Sequence, residues 1–283
     1  MKLITWNIQW GRGADGRVDC DRIVAHARRF ADFDVLCLQE VAAAYPELPG
    51  NDGTDQFRGF AQRLPGFQAI AGIAVDAPAP SGGRRGFGNM ILSRYPVGPV
   101  FRHLLPWPAE AGLPSMQRIA LEATLDTPHG LLRVTTTHLE YYSATQRRAQ
   151  VERLRELQRE GFGHARLPNV AQSADGPFFH PARGQPAILC GDFNSRPGSD
   201  DWARLSAPFD DGTPRYLDAW ELAHPGQAHA PTVGLYDKQQ WPGDPFTFDA
   251  IFVSAELAAS VRRVEVDAGS DASDHQPLLL ELV

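Results

Sequence analysis

Two stretches, Val35-Leu36-Cys37-Leu38 and Ala187-Ile188-Leu189-Cys190, each set four apolar residues in a row without alternation. Runs of this kind read as strands buried within a sheet rather than strands with one wet face. Each run ends in polar groups, Gln39-Glu40 in the first case and Gly191-Asp192-Phe193-Asn194 in the second. Asp192 and Asn194 are two residues apart, a spacing that places both on one face of extended chain. A carboxylate and an amide leaving a buried strand together are costly unless something binds them. Pro197-Gly198 then closes a turn, and Ser199 can cap a short helix beginning near Asp200.

The rest of the chain alternates strands and helices. A strand over 3–8 carries Trp6-Asn7, and Asp19 or Asp21 caps a helix with Ile23, Ala27 and Phe30 on one face. Phe57, Phe60 and Leu64 predict a short amphipathic helix, and 67–75 a strand. Residues 76–88 read as a low-complexity loop containing Arg84-Arg85, leading into a strand over 89–94 with Asn89 at its start. Further strands are expected over 97–105, 118–127 and 131–137, the last ending in His138. Ser143-Ala144-Thr145-Gln146 has the capping-box pattern, and the helix it opens carries Val151, Leu154 and Leu157 before Gly161 stops it. Residues 167–186 are Gly- and Pro-rich, which predicts a surface loop or lid. Helices are expected at 202–205 and 217–222, and a long polar loop at 224–245. Asp249 then falls in a strand over 246–253. After a strand at 261–266, Ser273-Asp274-His275-Gln276-Pro277 precedes the final strand, 278–283. No linker divides the chain convincingly, so a single domain over 1–283 is expected, its halves forming two packed sheets.

With 27 basic and 34 acidic residues the net charge is −7. That balance argues against a protein that coats nucleic acid, whose affinity comes from neutralising phosphates, but leaves room for a nuclease with a local basic patch. Three cysteines without metal or disulfide spacing fit a reducing compartment. No stretch approaches transmembrane length and no leader pattern precedes the first strand, so a cytoplasmic location is expected.

The polar residues at strand ends are Asn7, Glu40, Asn89, His138, Asp192, Asn194, Asp249, Asp274 and His275. Carboxylates and amides without a cysteine cluster favour a hard divalent ion, Mg²⁺ or Mn²⁺. Two histidines among acids suit proton transfer or phosphate contact near neutral pH. The chemistry indicated is metal-assisted attack of water on a phosphate ester.

Seven motifs in order carry a resemblance: Thr5-Trp6-Asn7-Ile8, Leu38-Gln39-Glu40-Val41, Gly88-Asn89-Met90-Ile91-Leu92-Ser93-Arg94, Thr137-His138-Leu139, Gly191-Asp192-Phe193-Asn194, Asp249-Ala250-Ile251-Phe252-Val253-Ser254 and Ser273-Asp274-His275-Gln276-Pro277. The chain resembles the endonuclease/exonuclease/phosphatase superfamily of deoxyribonuclease-like, metal-dependent phosphohydrolases. The resemblance implies a four-layer α/β sandwich, with two mainly antiparallel central sheets packed face to face and helices outside.

It also implies roles. Glu40 is the principal metal ligand with Asn7 beside it, and Asp274 is an occasional ligand. Asp192 orients or activates water, and Asn194 contacts the phosphate or metal. His275, oriented by Asp249, is the general base or polarises the phosphate, and His138 contacts the phosphate or protonates the leaving group. Either Asp192 or His275 takes the water's proton. Asn89 and Arg118 match substrate-side positions more loosely. Many members carry an Arg before the histidine-orienting acid and a Tyr after it; this chain has Phe246-Thr247-Phe248-Asp249-Ala250. The reading is a phosphodiesterase or nuclease-type hydrolase. The alternatives are a phosphatase or phosphodiesterase acting on a small-molecule, inositol-phosphate or phospholipid substrate, and a catalytically silent binding protein.

Overall fold

A computed structural model describes residues 1–80, 82–167 and 183–283. Among the described residues, twelve strands form two six-stranded sheets. The first sheet contains β1 (Lys2–Asn7), β2 (Val35–Ala43), β3 (Gln68–Pro78), β4 (Arg84–Ser93), β11 (Val261–Val266) and β12 (Leu278–Leu282), in the order β11-β12-β1-β2-β4-β3. The second contains β5 (Val97–Leu104), β6 (Ile119–Thr127), β7 (Gly130–His138), β8 (Ala187–Asp192), β9 (Tyr216–Asp218) and β10 (Asp249–Ser254), in the order β5-β6-β7-β8-β10-β9. β1–β2 and β7–β8 are parallel pairs, and the other pairings are antiparallel. The sheets are not simply the two halves of the chain, because the last two strands return to the first sheet, β12 beside β1 and β11 beyond it.

The unbroken apolar runs follow from the layering. One face of each strand enters the core between the sheets, where Leu3, Val35, Cys37 and Ile91 meet Leu121, Val134, Ile188, Cys190 and Ile251. The alternate residues Ile4, Leu36, Leu38 and Leu92 pack outward against α1 (Cys20–Phe30) and α2 (Gln56–Arg63) through Ile23, Ala27, Phe57 and Phe60. On the other side, Ala187, Leu189 and Phe252 meet α3 (Ala144–Ala165) and α4 (Asp200–Ser206) through Val151, Leu154, Leu157, Trp202 and Leu205. The layers are therefore helix, sheet, sheet, helix, as expected. Cys37 and Cys190 are free and fully buried in the inter-sheet core, where they act as small apolar residues.

Caps match the sequence signals. Asp19 accepts from Arg22 N, Ser143 from Gln146 N and Ser199 from Trp202 N. Several boundaries differ from expectation, each for a visible reason. The loop over 76–88 is mostly a hairpin, because β3 runs to Pro78 and β4 starts at Arg84, so Asn89 sits in mid-strand rather than at its start. β2 continues past Glu40 across a register shift against β4 between Leu38 and Val41. The segment 217–222 enters as β9 and becomes α5 (Ala219–Ala223) only after Asp218 caps it. β10 begins at Asp249, three residues later than expected.

Gly161 does not stop α3, which runs on to Ala165. A Cβ there would lie 1.1 Å from Nη1 of Arg133, so the glycine leaves room for the buried guanidinium that β7 sends against the helix. The surface loop expected over 167–186 falls largely outside the described residues.

Candidate active site

Register delivers the polar strand ends to one edge of the sandwich. His138 pairs with Asp192 across β7–β8, and Asp249 pairs with Asp192 across β8–β10. From the first sheet, Asn7 lies at the end of β1, and Glu40 sits at the β2 bulge with φ +60°. A left-handed glutamate is uncommon, and the bulge turns the local backbone out of strand register. Gly191 has φ +137°, and a Cβ there would lie 1.9 Å from Thr137 O, so only glycine lets β8 reach this edge.

Asn7 ties the two sheets together. Its Nδ2 donates to Glu40 Oε1 and to Asp192 Oδ2, both at 3.0 Å, while its Oδ1 accepts from Gln9 N. In this geometry Asn7 offers N–H groups to the carboxylates, and turning its oxygen towards an ion requires the amide to flip. Asp192 is the shared vertex. His138 Nε2 lies 3.5 Å and His275 Nε2 3.8 Å from its Oδ2, and its Oδ1 accepts from Asn194 N at 2.9 Å. His138 Nδ1 is also 3.8 Å from Glu40 Oε1. Behind it, His275 Nδ1 is 2.8 Å from Asp249 Oδ2, the contact of a carboxylate that orients an imidazole.

Burial and neighbouring charge set the protonation of these groups. Burial, reinforced by the Asp274 carboxylate, raises Glu40 to about 7, against the pull of the Asn7 hydrogen bond. Burial also raises Asp192. His275 goes the other way: burial lowers it, but Asp249, Asp274 and Asp192 together outweigh that and hold it well above the usual histidine range. Burial, with Arg118 and His275 nearby, pushes His138 well below that range. Two histidines within reach of one carboxylate are thus driven towards opposite charge states.

These groups open into a cleft of about 230 Å³, lined by Glu40, His138, Asp192, Asn194, Asp274 and His275 on the polar side and by Phe87, Met116, Tyr141, Tyr142 and Trp241 on the other. Arg118 also lines it; its Nε donates to buried Glu140 at 3.2 Å, and its buried Nη1 has no partner among the described residues. Asp274 Oδ2 accepts from Gln240 Nε2 and Trp241 Nε1, each at 3.0 Å. A larger depression of about 600 Å³ between α1 and α2 contains none of these residues.

Eight of the nine strand-end residues and Arg118 therefore gather at or directly behind the cleft. Asn89 lies deeper, its Nδ2 donating to Ile119 O and Thr136 O across the inter-sheet space. Asn194 reaches the cleft while its Nδ2 donates to Leu139 O. The Arg84-Arg85 pair is solvated and engaged elsewhere, Arg84 with Asp76 and Arg85 with Glu47 and the Tyr45 ring. Sequence reasoning missed Glu140, which holds Arg118, and Gln240, which holds Asp274. Gln39, which the sequence placed beside Glu40 without a role, spans the sheets through its buried amide to Thr136. Glu140 follows the motif histidine by two residues, a signal that was available; Gln240 lies in a featureless loop.

Among the described residues, Asp192, Asp249 and His275 bring ligand atoms within 4.8 Å of one another, close enough to share an ion. No described helix is long and apolar enough to cross a membrane.

Fold and site together define a class of hydrolase scaffold: a two-sheet sandwich with an acid–histidine cluster where the strands of both sheets end. The chain belongs to the endonuclease/exonuclease/phosphatase family, whose model matches residues 4–165 and 144–275 and whose members are phosphoesterases or nucleases. No curated protein matches by sequence. Among solved structures, an endonuclease/exonuclease/phosphatase from Beutenbergia cavernae is 24% identical with a TM-score of 0.64, covering all of this chain and 71% of its own. A mannosyl-6-phosphatase from Bacteroides thetaiotaomicron is 18% identical with a TM-score of 0.67, covering 100% and 99% of the two chains. The human Nocturnin catalytic domain, with a bound sulfate, is 20% identical with a TM-score of 0.63, covering 100% and 93%. Identities at this level speak for the fold.

Proposed function

We propose that this protein is a divalent-metal-dependent phosphohydrolase, of phosphodiesterase or nuclease type, that attacks a phosphate ester with an activated water. The observation that carries the reading is Asp192 at the junction of two histidines of opposite tendency, with Glu40 held beside it by Asn7.

The donor set fits a hard cation. Glu40 and Asp274 face the cleft with oxygen donors and without cysteine, and Glu40, raised by burial and the neighbouring Asp274, is hard to ionise alone, which a cation would relieve. Glu40 is the principal holder and Asp274 the auxiliary one, with Asn7 positioning Glu40. The close contacts of His275 with Asp249 and Asp192 are better explained as a proton-holding chain than as a second ion site, because a 2.8 Å hydrogen bond already occupies Nδ1. A bound Mg²⁺ or Mn²⁺ would supply charge neutralisation at the phosphate oxygens.

The remaining steps belong to the chain's own groups. Asp192 Oδ2 holds the attacking water and takes its proton, the role that its acceptor-only oxygens and central position suit. His275, kept protonated by Asp249, donates from Nε2 to a phosphate oxygen as charge accumulates there. Asn194 and the free Nη1 of Arg118 supply further donors to the phosphate. His138, held neutral beside Asp192, contacts the phosphate as a hydrogen-bond partner, and the leaving oxygen takes its proton from solvent. Asn89 supports the substrate wall from behind.

Hydrolysis of a chromogenic diester and monoester with Mg²⁺, Mn²⁺ or chelator tests this. Turnover is expected only with the cation, with losses of about 100-fold or more in Glu40→Ala and His275→Ala. Turnover that survives chelation, or that neither variant changes, would refute it.

A further inference from the structure

We infer that the aromatic side of the cleft is a docking face for a flat ring, so that the preferred substrate carries one phosphate and an aromatic group such as a nucleobase. This rests on the phosphohydrolase reading and narrows its substrate class.

Three observations point there. First, the rings are pre-set. Tyr141 stands edge-on to Tyr142, Trp241 and Phe248, with centroids 4.9, 6.0 and 6.1 Å away. Phe246 and Phe248 back Trp241 at 5.5 and 6.3 Å, and the Trp241 N–H is pinned to Asp274. Tyr142 N is held by Glu140 at 2.9 Å. Rings fixed in this way lose little freedom when a ligand stacks on them.

Second, the cluster is only half covered. Phe248 is buried, yet Tyr141 is 40% and Tyr142 55% exposed, both on the cleft wall. Aromatics that merely pinned a loop would be turned inward.

Third, the charge is wrong for a polyanion. Arg118 is the sole Lys or Arg lining the cleft among the described residues, and it already faces Glu140, whereas Glu40, Asp192 and Asp274 all line it. One phosphate can be accommodated there with a cation. A clustered polyphosphate would meet more carboxylates than positive groups.

The test uses a matched pair, adenosine 5′-monophosphate and ribose 5-phosphate, which share the leaving oxygen and differ only in the base. With Mg²⁺ the base is expected to raise kcat/KM at least about tenfold, in line with stacking on exposed aromatic platforms. Tyr142→Ala and Tyr141→Ala should cut that ratio at least about fivefold, while Tyr142→Phe, which keeps the ring, preserves it. A ratio near one in the wild type, or a ratio unmoved by either alanine, overturns the inference. If neither ester is hydrolysed, the hydrolase reading fails for monoesters, and calorimetric affinities of the same pair with Mg²⁺ decide. Tighter binding of the nucleotide, lost in Tyr142→Ala, supports the ring face; equal affinities overturn it.

Discussion

At the scale of single residues, the site depends on backbone that tolerates few substitutions. Gly191 has no room for a Cβ against Thr137 O. Gly191→Ala is expected to cost roughly 3 kcal/mol in denaturant unfolding and to displace Asp192. Protonation follows from the same compact geometry. Glu40 is raised to about 7, so below that pH a cation must displace its proton. Mg²⁺ affinity measured by calorimetry should therefore climb by up to about tenfold per pH unit towards neutrality and flatten above about pH 7. Glu40→Gln should abolish that slope. The sign is reversed for His275, whose folded pKa is raised. Its charge stabilises the fold fully below about pH 6.5, and that stabilisation is lost as pH climbs through the raised value. Asp249→Asn should bring the histidine's NMR titration down in pH and remove this alkaline loss of stability.

At the scale of elements, Gly161 marks the contact between α3 and β7. An exposed mid-helix Gly→Ala change normally gains up to about 1 kcal/mol. Here the added methyl would displace Arg133, which is buried and bonded to Leu157 O and Gln158. Gly161→Ala is expected to destabilise by about 2 kcal/mol in chemical denaturation. In an Arg133→Met background the same change should cost much less, a coupling that a double-mutant cycle reads directly.

The same glycine shows why some of the structure was legible in the sequence and some was not. The apolar runs at 35–38 and 187–190, the caps Asp19, Ser143 and Ser199, and the strand-end polar residues were legible because each signal is local. Gly161 read as a stop because close approach to Arg133 is a long-range fact with the same local signature. The loop read over 76–88 became a hairpin because cross-strand pairing outweighs glycine and proline content at a strand pair's end. Gln39–Thr136 joins the two sheets and Arg118–Glu140 joins the ends of β6 and β7; the partners are 97 and 22 residues apart, and no spacing rule connects them.

At the scale of the whole molecule, backbone ladders hold each sheet, whereas side chains join them at the site. Asn7 bonds Asp192, Gln39 bonds Thr136, and Asn89 bonds the carbonyls of Ile119 and Thr136. A ligand gripping Glu40 from one sheet and Asp192 or His138 from the other would act as a clasp across the mouth of the sandwich. Its stabilisation should grow with ligand concentration and be shared by both layers rather than confined to one. Amide hydrogen exchange with Mg²⁺ and inorganic phosphate should then slow together at the ends of β1 and β2 and of β7 and β8. Protection confined to a single sheet would show that the layers open independently. If the clasp holds, substrate turnover becomes a cycle of closing and releasing the seam between two layers, and the rate at which that seam breathes sets a ceiling on product release.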